Sequence, residues 1–163
     1  MTHKKGGLVR LEDAEWHESS HGEKFGARFA RLGGAAGGQE LRTSLYEVEP
    51  GRRAFPHHAH HGIEEALYVL EGEGTLRLGD EEHPVGPGSY AAFPAGGLAH
   101  QLINTGETTL RYLAISAGTR ADIVTYPDSG KVAAFAGDWD AMRFSHRGIY
   151  WDKDQPGYYD GEE

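Results

Sequence analysis

The middle of the chain alternates short apolar runs with turn-forming residues. Runs rich in β-branched and aromatic residues recur from residue 49 to 118, separated at close intervals by glycine or proline. They predict strands at Glu65–Leu70, Gly74–Leu78, His83–Val85, Tyr90–Phe93, His100–Asn104 and Leu110–Ser116. Such closely spaced short strands, with no convincing helix among them, predict an all-β fold, either a sandwich or a single antiparallel β-barrel.

The segments on either side are less regular. Residues 1–24 are polar and predict an N-terminal arm, and a strand is predicted at Leu41–Val48 beyond the glycine-rich connector Gly33–Gly38. After residue 118 the pattern ends, which predicts an irregular C-terminal extension. Its aromatic end, Ile149–Glu163, is expected to pack on the barrel or over its mouth, with a loosely ordered tail as the alternative. The predicted division is an arm at 1–24, a β-barrel at 25–118 and an extension at 119–163.

One predicted strand is apolar on both faces. In Glu65–Leu70, Leu67 and Val69 share one face, while Tyr68 and Leu70 share the other. One face can fill the barrel, and the other needs a cover, because a solvated sheet face is ordinarily polar. The cover is either a second sheet of the same chain or a second subunit, and a homodimer is the assembly we expect.

Composition narrows the class of protein. The chain has 163 residues, 24 of them glycine, no cysteine and a formal net charge of −9. Without cysteine there is neither a disulfide nor a thiolate metal site. The acidic balance argues against nucleic acid as a partner, and no apolar run is long enough to span a membrane. We therefore expect a cytoplasmic protein with no nucleic-acid or membrane partner.

The segment Pro56–Glu65, with the sequence PHHAHHGIEE, carries the chemistry. Side chains two apart on a strand point the same way, so His58 and His60 share a face, and Glu65 returns to it after the turn at Gly62. His100 lies in a strand that can pair beside this one. Three imidazoles and one carboxylate form a site for a first-row divalent metal.

These residues resemble the two sequence motifs of the cupin superfamily, over a motif core at 51–104. The first motif is Gly51-x6-His58-x-His60-x4-Glu65-x6-Gly72. The second is Gly88-x5-Pro94-x-Gly96-x3-His100-x3-Asn104, with Gly97 as an alternative for the second glycine. Each departs from the usual spacing by one inserted loop residue, and neither insertion changes the register of the candidate ligands.

The resemblance implies a double-stranded β-helix, or jelly roll, with a metal ion held inside by His58, His60, Glu65 and His100. The expected ion is one divalent metal, namely zinc, iron, manganese or nickel. Cupins include oxygenases, isomerases, epimerases and lyases, so the first hypothesis is a metal-dependent enzyme acting on a small carboxylate, diol or sugar acid. A non-catalytic binding or sensory protein is the alternative, and a purely structural ion is a third.

Several roles stay open at this stage. Glu64 is the rival of Glu65 for the metal, although Glu65 matches the family spacing. His57 and His61 fall on the opposite parity and are assigned to the outer face or to supporting positions. Tyr46, His57 and Gln101 are the candidate catalytic residues. Asn104 is expected to end its strand in the Asn-Thr-Gly turn, which is a structural role.

Overall fold

The computed structural model describes residues 6–118, 121–138, 143–153 and 156–162. The first five residues of the predicted arm and four short stretches of the predicted extension (119–120, 139–142, 154–155 and 163) lie outside the described residues. The described chain is mainly strand and loop, with one 3₁₀ turn at Leu11–Asp13 and one four-residue helix, α1, at Leu32–Ala35. None of its helices is long and apolar enough to cross a membrane.

Strands occupy most of the described chain. Their bounds are β1 Trp16–His21, β2 Phe25–Arg31, β3 Leu41–Val48, β4 Ala59–His60, β5 Ile63–Glu71, β6 Gly74–Leu78, β7 Glu81–Val85, β8 Tyr90–Phe93, β9 His100–Ile103, β10 Leu110–Gly118, β11 Ala121–Tyr126, β12 Lys131–Asp138 and β13 Arg143–Trp151. They form a six-stranded sheet in the order β1-β2-β3-β10-β5-β8, a three-stranded sheet β7-β6-β9 and a four-stranded sheet β13-β12-β11-β4. The strand pairs are antiparallel, as expected for a jelly-roll fold.

The main core lies on the inner face of the six-stranded sheet. Leu67 and Val69 are buried there, with Tyr112 of β10 beside them and Leu76 of β6 packed against the same cluster. The inner face of β5 is therefore the face predicted to fill the fold. A smaller cluster, centred on Val124, Ala133 and Phe135, lies in the four-stranded sheet.

The outer face of β5 is open in the single chain. Tyr68 and Leu70 are 38% and 37% exposed, and Tyr90, which pairs with Tyr68 across β8, is 65% exposed. No described segment of this chain packs over these three side chains to bury them. The homodimer and the cytoplasmic location are not tested by a single chain, and both stay predictions.

The flanks are more regular than the sequence pattern indicates. The predicted arm contains β1, and the extension expected to be irregular contains β11, β12 and β13. Four of the six side chains of β1 are exposed, and β13 alternates poorly between buried and exposed positions. Such edge strands are held by backbone hydrogen bonds and bury few side chains, so hydrophobic periodicity does not detect them.

The glycine-rich turns have the geometry expected of them. Gly72, between β5 and β6, has φ of 79°, and a Cβ placed there would lie 2.6 Å from the carbonyl oxygen of Thr109. Only glycine fits both the left-handed backbone and this close approach. The turn returns β6 toward β9, the strand that carries His100.

Candidate metal centre

Three strands and the segment before β4 bring the four predicted ligands near one another, and three of them (His58, Glu65 and His100) form the group that could hold a metal ion. His60 lies on β4, Glu65 on β5 and His100 at the start of β9. His58 precedes β4 and pairs with His100 through two backbone hydrogen bonds of 3.2 and 2.8 Å. Residues about forty positions apart in sequence are thus neighbours in space.

The carboxylate of Glu65 is the meeting point of the three imidazoles. Its Oε2 lies 3.8 Å from Nε2 of His58, 3.2 Å from Nε2 of His60 and 3.3 Å from Nε2 of His100. Ligand atoms of His58, Glu65 and His100 all lie within 4.8 Å of one another. Such a cluster of nitrogen and oxygen donors has the composition of a site for a first-row divalent ion.

Hydrogen bonds on the far side of two rings fix which nitrogen faces the centre. Nδ1 of His58 lies 2.8 Å from the carbonyl oxygen of Pro56, which can only accept, so this nitrogen carries the proton. Nδ1 of His60 lies 2.5 Å from Oδ2 of Asp122. In the neutral rings both protons are therefore on Nδ1, and both Nε2 lone pairs are directed at the centre.

His100 is held by packing. Its ring stacks on Phe93 with centroids 3.7 Å apart and an angle of 2° between the planes. Its Nδ1 is buried and has no hydrogen-bond partner among the described residues. The backbone pairing with His58 and this stacking set the position of the ring.

Asp122 is the supporting residue that the sequence analysis missed. It is 4% exposed, and its Oδ1 accepts hydrogen bonds from the backbone nitrogens of His61 (3.2 Å) and Gly62 (2.8 Å). Asp122 lies on β11, which pairs with β4 through His60 and Val124. Asp122 and Val124 are two positions apart and point to the same face of β11, so an acid beside an apolar residue on one face could have indicated a buried carboxylate. However, β11 falls in the region predicted to be irregular.

The charges of the cluster depend on one another. Burial lowers the pKa of His60, but hydrogen bonds with Asp122 and Glu65 outweigh this and raise it to about 9. Burial acts to raise the pKa of Glu65, yet the three histidines hold it well below its usual range. Burial lowers the pKa of His100. In the metal-free protein near neutral pH, His60 is thus protonated, and it lies between the carboxylates of Glu65 and Asp122.

We expect the metal-free protein to lose stability between pH 7.5 and 9. Because the pKa of His60 is higher folded (about 9) than unfolded (about 6.5), its protonation stabilises the fold fully below about pH 6.5. That contribution disappears as the pH rises through the folded pKa. Urea unfolding of chelated protein at several pH values measures the slope.

Asp122→Asn is the matched control for that slope. The amide oxygen can still accept from His61 and Gly62, but the charge that raises the pKa of His60 is gone. The variant should therefore show a flatter profile from pH 7.5 to 9. An equal slope in both proteins would contradict the assigned role of Asp122.

The remaining sequence candidates have separate places. Glu64 is exposed and does not reach the cluster, whereas Glu65 does. His57 is buried, with Nδ1 3.4 Å from Asp128, and His61 is exposed with Nε2 3.2 Å from the hydroxyl of Thr125. Both lie outside the set around Glu65, as their parity predicts.

Of the candidate catalytic residues, Tyr46 has the clearest access to the centre. A cavity of about 650 Å³ is lined by the four clustered residues together with Tyr46, Phe55, Gln101 and Tyr112. Nε2 of Gln101 donates a hydrogen bond to the carbonyl oxygen of Phe55 (2.8 Å) and so supports the loop before His58. His57 does not line this cavity.

The two tyrosines form one wall of the cavity. Their rings stack with centroids 5.4 Å apart. The rings of Phe55 and Tyr46 lie edge to face, with centroids 5.3 Å apart. Burial and the charge of Glu65 raise the pKa of Tyr46 to about 12, and burial raises that of Tyr112 well above its usual value. Both hydroxyls therefore stay protonated and can donate to a bound ligand.

Comparison with known proteins assigns the middle of the chain to a family. Residues 44–116 match the family described as Cupin domain. No protein of curated function matches the chain in sequence.

Solved structures extend the likeness beyond that domain. A structure provisionally assigned as a sugar phosphate isomerase, from Acidithiobacillus ferrooxidans, is 27% identical with a TM-score of 0.81, covering 92% of this chain and 95% of that one. A cupin-superfamily sugar phosphate isomerase from Silicibacter pomeroyi is 26% identical with a TM-score of 0.79, covering 94% and 98%. A predicted oxalate decarboxylase from Thermotoga maritima is 26% identical, with a TM-score of 0.60 and coverage of 68% and 98%.

Proposed function

Because this chain is a cupin-domain protein with a histidine and carboxylate cluster on its cavity wall, we propose that it is a metal-dependent isomerase of a small sugar phosphate. The observation that carries the proposal is the convergence of three Nε2 atoms on the Glu65 carboxylate beside that cavity. The cavity has a volume of about 650 Å³, which falls within the range of small-molecule sites.

The two long structural matches support this choice of reaction. One is described as a sugar phosphate isomerase and the other provisionally as one, and both cover more than nine tenths of this chain. The match to the predicted oxalate decarboxylase covers 68% of the chain. The strands outside the cupin domain, which also line the cavity, are thus largely shared with the two isomerase-like structures.

The donor set fits a divalent ion. His58, His60, His100 and Glu65 would hold it, because Nδ1 of His58 and of His60 is hydrogen-bonded on the far side of its ring, which leaves each Nε2 to coordinate once His60 has lost its second proton. When bound, such an ion polarises a carbonyl and an adjacent hydroxyl of the substrate. Zinc, iron, manganese and nickel all suit this mixture of imidazole and carboxylate ligands.

Tyr46 supplies the protein's own contribution beside that centre. Its protonated hydroxyl, raised in pKa to about 12, is a hydrogen-bond donor to a substrate oxygen and to the negative charge that develops there. The stacked rings of Tyr46 and Tyr112 give the cavity an aromatic wall beside this hydroxyl. Together they orient the ligand and exclude water from one side.

The test is turnover by the full-length protein reconstituted with each of the four metals. Aldose phosphates of five and six carbons should convert to the ketose form. Nuclear magnetic resonance measures this conversion. Metal and ligand binding without conversion of any of these compounds would contradict an isomerase and favour the binding or sensory protein.

Tyr46→Phe should lower kcat by about 10- to 100-fold, because one hydrogen bond to a charged oxygen contributes about 1.5–3 kcal/mol. Tyr68→Phe is the matched control, since Tyr68 lies on the outer face of the sheet, away from the cavity. Metal content should equal that of the native protein in both variants. An unchanged kcat in Tyr46→Phe would remove this tyrosine from the mechanism.

A further inference from the structure

We propose that Arg31, Arg42 and Arg147, which line the same cavity, form a subsite for the phosphate group of the substrate. The inference rests on the proposed function for the identity of the ligand, a phosphorylated sugar. It adds the residues that bind its charged end and the reason that this end is a phosphate.

The strand register relates Arg42 to the metal centre. Arg42 on β3 pairs with Ser116 on β10, and Ser116 pairs with Glu65 on β5. Residues paired in register point to the same face of a sheet, so the three side chains form one row across the inner face. Two strand spacings separate the backbones of Arg42 and Glu65 by about 10 Å. One ligand can therefore reach both ends of the row.

Arg31 belongs to the adjacent row. It pairs with Ser44 on β3, two residues along from Arg42 and hence on the same face. Ser44 and Ser116 both line the cavity, so two hydroxyl groups lie in the same rows as the two guanidinium groups. Arg147, from β13, also lines the cavity, as does Ile149 two positions further along that strand.

These three arginines differ from others in their partners. Arg28 pairs with Glu47, Arg77 with Asp128, and Arg111 with Glu47 and Glu71. Among the described residues, no carboxylate forms an ion pair with any of the three cavity arginines. In a chain with a net charge of −9, two half-buried cations without an ion pair, Arg31 and Arg42, are conspicuous, and Arg147 is an exposed third one.

Aromatic rings support two of the guanidinium groups without consuming their hydrogen-bond donors. Arg31 lies 5.6 Å from the ring centroid of Phe29, and Arg147 lies 5.7 Å from that of Phe144. A cation at this distance from a ring is attracted to it while its N–H groups stay free. The donors are therefore available to a ligand.

The charge balance favours a phosphate over a carboxylate. Among the described residues that line the cavity, Glu65 is the one carboxylate, and it belongs to the metal centre. Three guanidinium groups match a dianion with three terminal oxygens better than a single carboxylate, because each planar fork can donate two parallel hydrogen bonds. A phosphate monoester supplies that charge and geometry.

The three arginines also lie outside the cupin domain at 44–116. The common domain supplies the metal cluster, while β2, the start of β3 and β13 supply the arginines. Selectivity for a phosphorylated ligand is thus built by the flanking strands. The two long structural matches also extend beyond the domain, since each covers more than nine tenths of this chain.

The experiment measures binding of glycerol 3-phosphate to the metal-loaded, full-length protein by calorimetry. R31Q, R42Q and R147Q should each weaken binding by roughly 10- to 100-fold, the loss expected when hydrogen bonds to a charged group are removed. R28Q is the matched control, because it removes the same charge from β2 at a residue that does not line the cavity. It should bind as the native protein does, and thermal unfolding verifies that each variant is folded.

Two further arms separate the phosphate subsite from the metal centre. After chelation, native protein should still bind glycerol 3-phosphate, and R42Q should not. Glycerate, a carboxylate of similar size, should bind the chelated protein at least about tenfold more weakly, since it lacks the third oxygen and the second charge. Equal binding of the two probes, or loss of all binding on chelation, would overturn the proposal.

The outcome is independent of the proposed reaction. If the arginine variants alone lose glycerol 3-phosphate but no sugar phosphate is isomerised, the subsite stands and the isomerase is wrong. If a sugar phosphate is isomerised while the three variants bind as R28Q does, the reaction stands and the subsite is wrong.

Discussion

His100→Ala should lose the bound divalent ion while the fold survives. The ring supplies one of four converging donors, and its Nε2 lies 3.3 Å from the carboxylate that would share the metal. Changes to residues that only support metal ligands already cost 10- to 100-fold in affinity, so loss of a ligand should cost at least about 100-fold. Titration with zinc by calorimetry, and metal content after dialysis, measure the effect.

His83→Ala is the control for this result. His83 lies on β7 with nearly half of its side chain exposed, and its ion-pair contact is Glu81. It should keep one ion per chain with native affinity. Circular dichroism should show the strand signal in both variants, and His100→Gln repeats the test should the smaller side chain loosen the contact with Phe93. Full metal content in folded His100→Ala or His100→Gln would contradict the assignment of His100.

Asn104→Asp should lower the free energy of unfolding by about 2–4 kcal/mol, the largest effect on stability that we expect from one side chain. Asn104 is fully buried, and its amide donates to the carbonyl oxygens of Val48 (2.7 Å) and Thr108 (2.8 Å). Its oxygen accepts from the backbone nitrogen of Gly106 at 3.0 Å. Aspartate keeps the oxygen that accepts from Gly106 but replaces the donating NH₂ group with an oxygen that faces two carbonyl oxygens. The carboxyl group must then either carry a buried negative charge or take up a proton.

Urea unfolding of the chelated protein measures this loss without a contribution from the metal. Thr105→Ala is the neighbouring control, because its hydroxyl makes one exposed contact with Thr75 at 2.9 Å. It should change stability by less than about 1 kcal/mol. Native stability in Asn104→Asp would show that the hydrogen bonds of Asn104, which join the end of β3 to the turn after β9, contribute little to the free energy of unfolding.

Much of the candidate site could be predicted because it depends on local geometry. Strand parity places His58 and His60 on one face and excludes His57 and His61, and the structure has this arrangement. Glu65, preferred over Glu64 on spacing, is the acid that reaches the cluster. His100 could be paired with the first motif because the second motif places it at the start of a strand. These features need only neighbours in sequence or a recognised spacing.

The rest depends on pairings between distant parts of the chain. Asp122 supports His60 only because β11 pairs with β4, from a position 62 residues away in sequence. Arg42 faces the cavity only through the register of β3 with β10. Edge strands such as β1 and β13 bury few side chains, so hydrophobic patterning carries no signal for them. Single-sequence patterns do not specify such long-range registers.

Anomalous X-ray diffraction from crystals grown with zinc tests the central claim most directly. One peak should lie about 2.0–2.3 Å from Nε2 of His58, His60 and His100 and from a carboxylate oxygen of Glu65. A peak bound elsewhere, such as between His57 and Asp128, with these four groups free of metal would contradict it.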